Sequence, residues 1–381
     1  MRLVPTSRVA EGTELGRDVM IGRPDGAPLL RSGVKLTARY RELLMNAGVS
    51  AVYVEDDESS GIVVEPIVDD AMREVATRAI ATAHRAATDA SASGRQLSPD
   101  AVASLEDIVE RILQQVQTSG GVALALSDLS SADAYTFQHS VDVTALGLLL
   151  GLRYYRRYGW TDYRGERQFG KIDDRLSSLG LGLMLHDIGK LSIPLAILNK
   201  PGRLTPEEWA VMRTHPRAGV DLLGGNDWSP LVKAVVLRHH ERWDGSGYPD
   251  GKAGEEIHQM ARIAAVADVY DAITSERHYA AAEPPHVGVR VILKGRGTMF
   301  DPDVVDTFAM LVAPFPPGSP VELTDGRRGV VVSVPEVAID RPVVRILEGP
   351  DAQTEVALKF DPSLRIAGWE DIPLTPALAV G

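Results

Sequence analysis

Hydrophobic and polar positions divide the chain into three regimes. In residues 1–66, short apolar runs alternate with turn signals, and 19–21, 29–30, 50–54 and 61–64 read as strands. A single helix over 37–47 places Leu43 and Leu44 on one face and stops at Gly48. This pattern predicts a small α+β module.

The second regime is helical. Residues 68–92 are Ala-rich at helical spacing, 94–98 break the pattern, and Pro99 restarts it with Leu105, Val109 and Leu113 on one face. The 67–129 stretch ends in an apolar segment over 122–129 and is expected to be a linker, packing or dimerisation region. A helix over 133–156 is apolar around much of its circumference, through Val141, Val143, Leu146, Leu148, Leu149 and Leu150, so it should be central. Residues 156–172 lack periodicity, hold Arg156, Arg157, Trp160 and Arg164, and read as a surface loop near the mouth of the core. An apolar run over 179–185 follows. Thr205-Pro206-Glu207-Glu208 starts a helix. It should run to His215, where Pro216 pushes the backbone away from helical torsions. Further helices are expected over 231–240, 260–274, 285–293 and 302–312.

Beyond a proline-rich boundary at 314–318, residues 321–323, 329–334, 342–347 and 354–358 read as strands, with Asp325-Gly326 as a hairpin turn. The expected fold is therefore mainly α. An all-helical bundle core over 130–313 is preceded by the α+β module (1–66) and the helical region (67–129), and followed by a small β module (318–381).

Composition narrows the function. The net charge of −12 argues against a nucleic-acid polymer as partner, so a small anionic guest needs a local positive site. The absence of Cys excludes disulfides and thiolate metal sites and fits a reducing cytoplasm. The longest apolar run, 143–152, is about half the ~20 residues a membrane span needs, and the first residues lack a signal-peptide apolar stretch. A soluble cytoplasmic protein is expected.

Candidate chemistry begins at His186-Asp187-Ile188-Gly189-Lys190. The apolar run before it brings an imidazole and a carboxylate to where desolvation is expensive, and a divalent metal satisfies both. His139, His215, His239 and His240 also fall in the helical core at element ends. His258, in an acidic loop, is expected to be solvated, and His84, His278 and His286 are expected at the surface. Asp187 and Asp268 are the aspartates lodged in apolar helical segments. Imidazole and carboxylate without sulfur suit Fe or Mn, with Co, Ni or Zn in the same class. Seven such ligands exceed the needs of one ion, so two divalent transition metals bridged by Asp187 are expected, with a bridging hydroxide poised for a phosphoryl group.

The stretches His186 to Lys190, His239-His240-Glu241-Arg242-Trp243-Asp244-Gly245-Ser246-Gly247-Tyr248-Pro249, and Ala267-Asp268-Val269-Tyr270-Asp271-Ala272 resemble the HD-GYP family of the HD superfamily, over residues 130–312. The resemblance implies an HD-type bundle and a metal-dependent phosphodiesterase that opens cyclic di-GMP to linear pGpG, GMP or both. It implies His139, His186, Asp187 and Asp268 as ligands of one metal, and Asp187, His215, His239 and His240 as ligands of the other. Lys190 and Arg277 would contact substrate phosphate, and Gly247, Tyr248 and Pro249 would wall the pocket. Tyr135 stands where some members carry a glutamate for a third metal, so two metals are expected. Ala280 stands where a basic residue is often found, which places a second phosphate contact elsewhere, among Arg156 to Arg164. The terminal modules are expected to dock signalling proteins such as diguanylate cyclases, or a second copy in a homodimer. Two other readings remain open: a cyclic-dinucleotide sensor or scaffold with weak turnover, and a phosphodiesterase for a different cyclic dinucleotide.

Overall fold

The structure, a computed structural model, describes residues 1–19, 28–49, 51–64, 66–92, 99–118, 135–200, 202–224, 228–275, 283–369 and 372–373. Most of the strand expected at 19–21, the apolar segment 122–129, Arg277, His278 and Ala280 lie outside these residues, as does the Tyr135 side chain.

At the N-terminus, β1 (Arg2–Pro5), β2 (Glu14–Leu15) and β3 (Ala51–Glu55) form an antiparallel sheet in the order β1-β3-β2, with α1 (Ala38–Asn46) inserted between β2 and β3. Thr37 caps α1 by accepting from the Tyr40 N–H, and Gly48 follows the helix at φ +80°. Leu44 is buried but Leu43 is exposed, because adjacent helix positions are turned about 100° apart. Residues 61–64 form no strand; Ile62 and Val64 are instead buried against Val330 of the C-terminal module.

The helical part comprises α2 (Asp70–Ala92), α3 (Pro99–Thr118), α4 (Tyr135–Tyr158), α5 (Ile172–Leu185), α6 (Leu195–Leu198), α7 (Pro206–Met212), α8 (His215–Leu223), α9 (Pro230–Arg238), α10 (Gln259–Thr274), α11 (Pro285–Lys294) and α12 (Pro302–Ala309). A hydrophobic cluster runs continuously through α2, α3, α4, α5, α9, α10, α11 and α12. The stretch read as a linker or dimerisation region therefore belongs to the core, where Arg73 of α2 pairs with Asp142 of α4 and both are buried. The C-terminal half of α5 and three quarters of α10 are buried, so these two helices occupy the centre beside α4.

Three local expectations are corrected. The 156–172 insert is not an aperiodic loop. It is the tail of α4 followed by a hairpin, β4 (Trp160–Thr161) and β5 (Arg167–Gln168), tied to the start of α10 by a 3.0 Å bond from the Thr161 N–H to Gln259. Tyr158 is nineteen residues along α4 from His139, about 28 Å at the helical rise. Next, His215 opens α8 rather than closing a helix, since Pro216 in a first turn sacrifices no hydrogen bond. Finally, His84 and His286 are buried and His258 is half-buried. His84 lies four residues after Ile80 and three before Ala87 on the core face of α2, edge-on to Phe137 at 5.2 Å; His286 stacks on Phe315 at 5.5 Å.

The C-terminal strands β6 (Pro320–Leu323), β7 (Arg328–Ser333), β8 (Val343–Ile346), β9 (Glu355–Ala357), β10 (Ile366–Trp369) and β11 (Ile372–Pro373) make an antiparallel sheet in the order β11-β10-β6-β7-β8-β9. The two terminal modules pack on each other: the Leu3 N–H donates to the Gly318 carbonyl at 3.0 Å, and Arg345 donates to the Ser60 carbonyl at 2.6 Å.

One close approach positions the site. A Cβ on Gly189 would lie 1.9 Å from the His215 carbonyl oxygen and 2.5 Å from the Gly219 nitrogen, so α8 can seat His215 beside Asp187 only because residue 189 has no side chain. Gly189→Ala is expected to destabilise the protein by about 1–3 kcal/mol, as overpacking against backbone does, and to lower metal retention; thermal unfolding and elemental analysis check this.

Burial holds the imidazoles of His84 and His286 down to about 4 each. In the unfolded chain a histidine titrates near ~6.5, so the unfolded state binds more protons between about 4 and 6.5, and stability should fall as pH drops through that window. Denaturant midpoints measured from pH 7 downward should show a steeper loss for the wild type than for a His84→Gln/His286→Gln double variant; equal slopes would count against the burial of both groups.

Candidate metal centre

The ends of several helices deliver the candidate ligands to one point. His139 projects from the first half of α4, and His186 caps α5 with Asp187 next in the chain. His215 is the first residue of α8, His239 caps α9 and His240 follows it, and Asp268 lies within α10. All but His240 are buried; His240 is at the solvent edge.

The ligand atoms form two groups, each within 4.8 Å: His139, His186 and Asp268 in one, and Asp187, His215, His239 and His240 in the other. Asp187 faces both. Its Oδ2 is 3.3 Å from His186 Nε2 and 3.8 Å from His139 Nε2, while its Oδ1 is 3.4 Å from His215 Nε2 and 3.9 Å from His239 Nε2. Asp268 in turn lies between His139, at 3.2 Å, and His240, at 3.7 Å.

Hydrogen bonds behind the rings fix which nitrogen faces inward. His186 Nδ1 donates to the Leu183 carbonyl at 2.6 Å, His215 Nδ1 to Met212 at 2.9 Å and His239 Nδ1 to Val236 at 3.0 Å. His139 Nδ1 is held by the Asp271 carboxylate at 2.6 Å. Each ring thus turns its Nε2 toward Asp187, the arrangement by which outer partners orient metal-binding histidines. His186 Nε2 and Asp187 Oδ1 are buried without a hydrogen-bond partner, which costs free energy unless something accepts or donates there. Nitrogen and carboxylate donors in two groups sharing one carboxylate fit a pair of divalent transition ions.

Electrostatics agree with that fit. Burial opposes charge on Asp187, but Lys190 and the imidazoles of His186 and His215 outweigh it and hold the carboxyl well below the usual range. Asp268 is likewise held well down, against burial, by His139 and His240. Burial lowers His215 and His239, so both are neutral and able to ligate at neutral pH. Burial would depress His139 too, yet its bonds to Asp268 and Asp271 hold it up to about 9.

Beside the two groups stands the loop 241–253. The Glu241 carboxylate, buried, accepts from the Asp250 N–H at 2.7 Å and the Lys252 N–H at 3.0 Å, while Asp250 pairs with Arg217 of α8. A Cβ on Gly247 would lie 2.4 to 2.6 Å from backbone atoms of Arg242, Glu241 and His240, so only glycine lets the loop fold back on the histidine pair. Tyr248 then lies against the His240 ring, with centroids 4.7 Å apart. Burial, Asp187 and Asp268 push its phenol well up, so it stays protonated.

Lys190, partly exposed, places its Nζ 2.5 Å from Asp187 Oδ2. Arg277 falls outside the described residues; Arg156 and Arg157 are at the far end of α4, and Arg167, in the hairpin, lines a cavity with Trp243. Two contributors, Asp271 and Glu241, carried no role in the sequence reading. Asp271 is three residues from Asp268 on one helix, a spacing that puts both on neighbouring positions of α10; Glu241 follows the histidine pair directly, but only the folded loop shows what its carboxylate binds.

Comparison with known proteins bears on this arrangement. Residues 169–304 match the HD domain family, a segment that begins after His139 and α4. A cyclic di-GMP phosphodiesterase of Pseudomonas aeruginosa is 41% identical over 231 residues, 60% of this chain and 52% of that protein. A cyclic di-GMP phosphodiesterase response regulator of Xanthomonas campestris pv. campestris is 45% identical over 141 residues, 36% of this chain and 37% of that protein. A 3'3'-cGAMP-specific phosphodiesterase of Vibrio cholerae is 39% identical over 124 residues, 32% of this chain and 24% of that protein. The chain thus spans about half the length of the first of these relatives and less of the others. The His-Asp pair of α5, the histidine pair after α9 and the Gly247-Tyr248-Pro249 turn are thus gathered at one centre within the segment that matches the HD domain family.

Proposed function

We propose that the protein is a metal-dependent phosphodiesterase that hydrolyses cyclic di-GMP. The observation that carries this reading is Asp187, with one carboxylate oxygen toward each of two donor groups. His139, His186, Asp187 and Asp268 would hold one divalent ion, and Asp187, His215, His239 and His240 the other. When bound, such a pair supplies Lewis acidity at a phosphate and an activated water as nucleophile near neutral pH. Iron or manganese suits the histidine-rich donor set better than magnesium, which prefers oxygen ligands.

The chain's own groups do the rest. Lys190 carries a positive charge at the edge of the centre and is placed to meet a phosphate oxygen as negative charge grows on it. Arg277 is assigned a second substrate contact on sequence grounds. Gly247, Tyr248 and Pro249 wall the pocket beside His240, with the protonated Tyr248 hydroxyl available as a donor. No side-chain nucleophile is required, which accords with a chain without Cys. One cut of the ring leaves linear pGpG and a second leaves GMP. Relatives named as cGAMP-specific are 38% and 39% identical over 32% of this chain, so the choice between cyclic di-GMP and a mixed cyclic dinucleotide rests on contacts to the bases.

Metal-loaded protein incubated with cyclic di-GMP should yield pGpG, GMP or both. Chelation should abolish the reaction, and Mn or Fe should restore it more fully than Mg. Lys190→Ala should lose about 10- to 100-fold in turnover, the value of one charge-assisted contact, while retaining its metal. Tight binding of cyclic di-GMP without cleavage under reducing, metal-replete conditions would replace this reading with that of a sensor.

A metal count tests the bridge independently. Elemental analysis should find about two transition ions per wild-type chain and almost none in Asp187→Ala, because both positions share that carboxylate. A single ion in the wild type, or full occupancy in the variant, would remove the basis for a binuclear centre.

A further inference from the structure

A cyclic dinucleotide carries two phosphates, and the metal pair with Lys190, and with Arg277 on sequence grounds, serves the scissile one. The other must meet a cation from a different element. The arginines of the 156–172 insert are engaged there: Arg157 lies over the Tyr158 ring, Arg164 lies over the Tyr163 ring and Arg167 donates to the Tyr158 carbonyl at 2.8 Å, while Arg156 is about 26 Å along α4 from His139. Arg217 and Arg238 both point to the Asp250 carboxylate and are committed to holding the loop. Arg213 is different. It caps the C-terminus of α7 and is exposed, and no carboxylate among the described residues lies within ion-pair distance of it. Its guanidinium carbon lies 4.8 Å from the Tyr248 ring centroid, and that ring lies 4.7 Å from the ring of His240. The side chain is two residues before His215, a second ligand candidate of the same donor group.

We propose that Arg213 is the anchor for the second, non-scissile phosphate of the substrate. The inference rests on the cyclic-dinucleotide reading above and adds to it a named cation. A guanidinium lying over an aromatic face keeps its N–H edges free, and those edges match phosphate oxygens in bidentate fashion. Seated on Tyr248, the group is held beside the mouth rather than sweeping through solvent, so less rotamer freedom is lost when a phosphate binds. Within a chain of net charge −12, a fixed cation at that point also favours a guest with two anionic centres over one with a single centre.

The test separates two phosphates from one, and binding from turnover. Arg213→Ala and Arg213→Lys are compared with wild type in metal-loaded protein, using a phosphorothioate analogue of cyclic di-GMP for calorimetric binding and bis(p-nitrophenyl) phosphate, a single phosphodiester, for turnover. Arg213→Ala should weaken the analogue by about 10- to 100-fold and leave turnover of the single diester within about twofold; Arg213→Lys should recover most of the affinity. Unchanged affinity for the analogue overturns the assignment. So does an equal loss on both probes, since Arg213 would then act by holding Tyr248 against His240. If wild type binds the analogue but cuts neither cyclic di-GMP nor the single diester, the hydrolase reading fails while the binding comparison still decides Arg213. If wild type binds no analogue, both readings fall.

Discussion

The structure depends on keeping one carboxylate charged in a place without water. Asp187 is 2% exposed, and a lone carboxylate so buried would cost several kcal/mol or take up a proton. It remains ionised because imidazoles approach it from two sides and the Lys190 ammonium from a third. That requirement explains the convergence of helix ends. Imidazoles and a lysine can surround a single point only if α4, α5, α8 and α9 all direct side chains to it, and the apolar shells of α5 and α10 exclude the water that would otherwise screen the charges. Gly189 is the steric condition for the same convergence, since the backbone of α8 passes where its side chain would be.

A second layer keeps the first in register. Asp271 behind His139, the carbonyls behind His186, His215 and His239, and Glu241 behind the glycine-rich loop do not face the centre, yet each restricts a ring or a turn that does. The acidic character of the chain as a whole makes this local arrangement decisive. A site able to hold an anion must be built from a few fixed groups, because the average field of the molecule opposes it. The loop ties, Arg217 and Arg238 on Asp250, also show why abundance of arginine near a site says little about which one meets a ligand.

The ends of the chain fold apart from this chemistry. The N-terminal sheet and the C-terminal sheet share a small apolar cluster through Tyr53, Ile62, Val64 and Val330, although these residues lie more than 260 positions apart at the closest. By contrast α2 and α3, which precede the matched HD segment, are part of the main core, joined to α4 by Arg73 and Asp142.

Residue type and short-range spacing determined much of this in advance. The histidines and aspartates after apolar runs, the capping pattern at Thr205 to Glu208 and the hairpin turn at Gly326 are local properties, set by side-chain chemistry and by backbone torsions that neighbouring residues control. The tertiary structure alone decided what depends on contacts between distant residues. His139 and Asp271 meet across 132 positions, so neither the orientation of that ring nor the role of that carboxylate is written in either segment. His84 was expected at the surface from its polarity, but it lies on the face of α2 that packs into the main core, against Phe137 of α4. The insert was expected as a loop because it lacks periodicity, whereas the fold continues α4 into it and closes the rest as the β4–β5 hairpin. Which oxygen of Asp187 faces which group of histidines, and which arginine is left over at the rim, follow from packing of whole helices, and packing is a property of the folded chain rather than of any stretch of it.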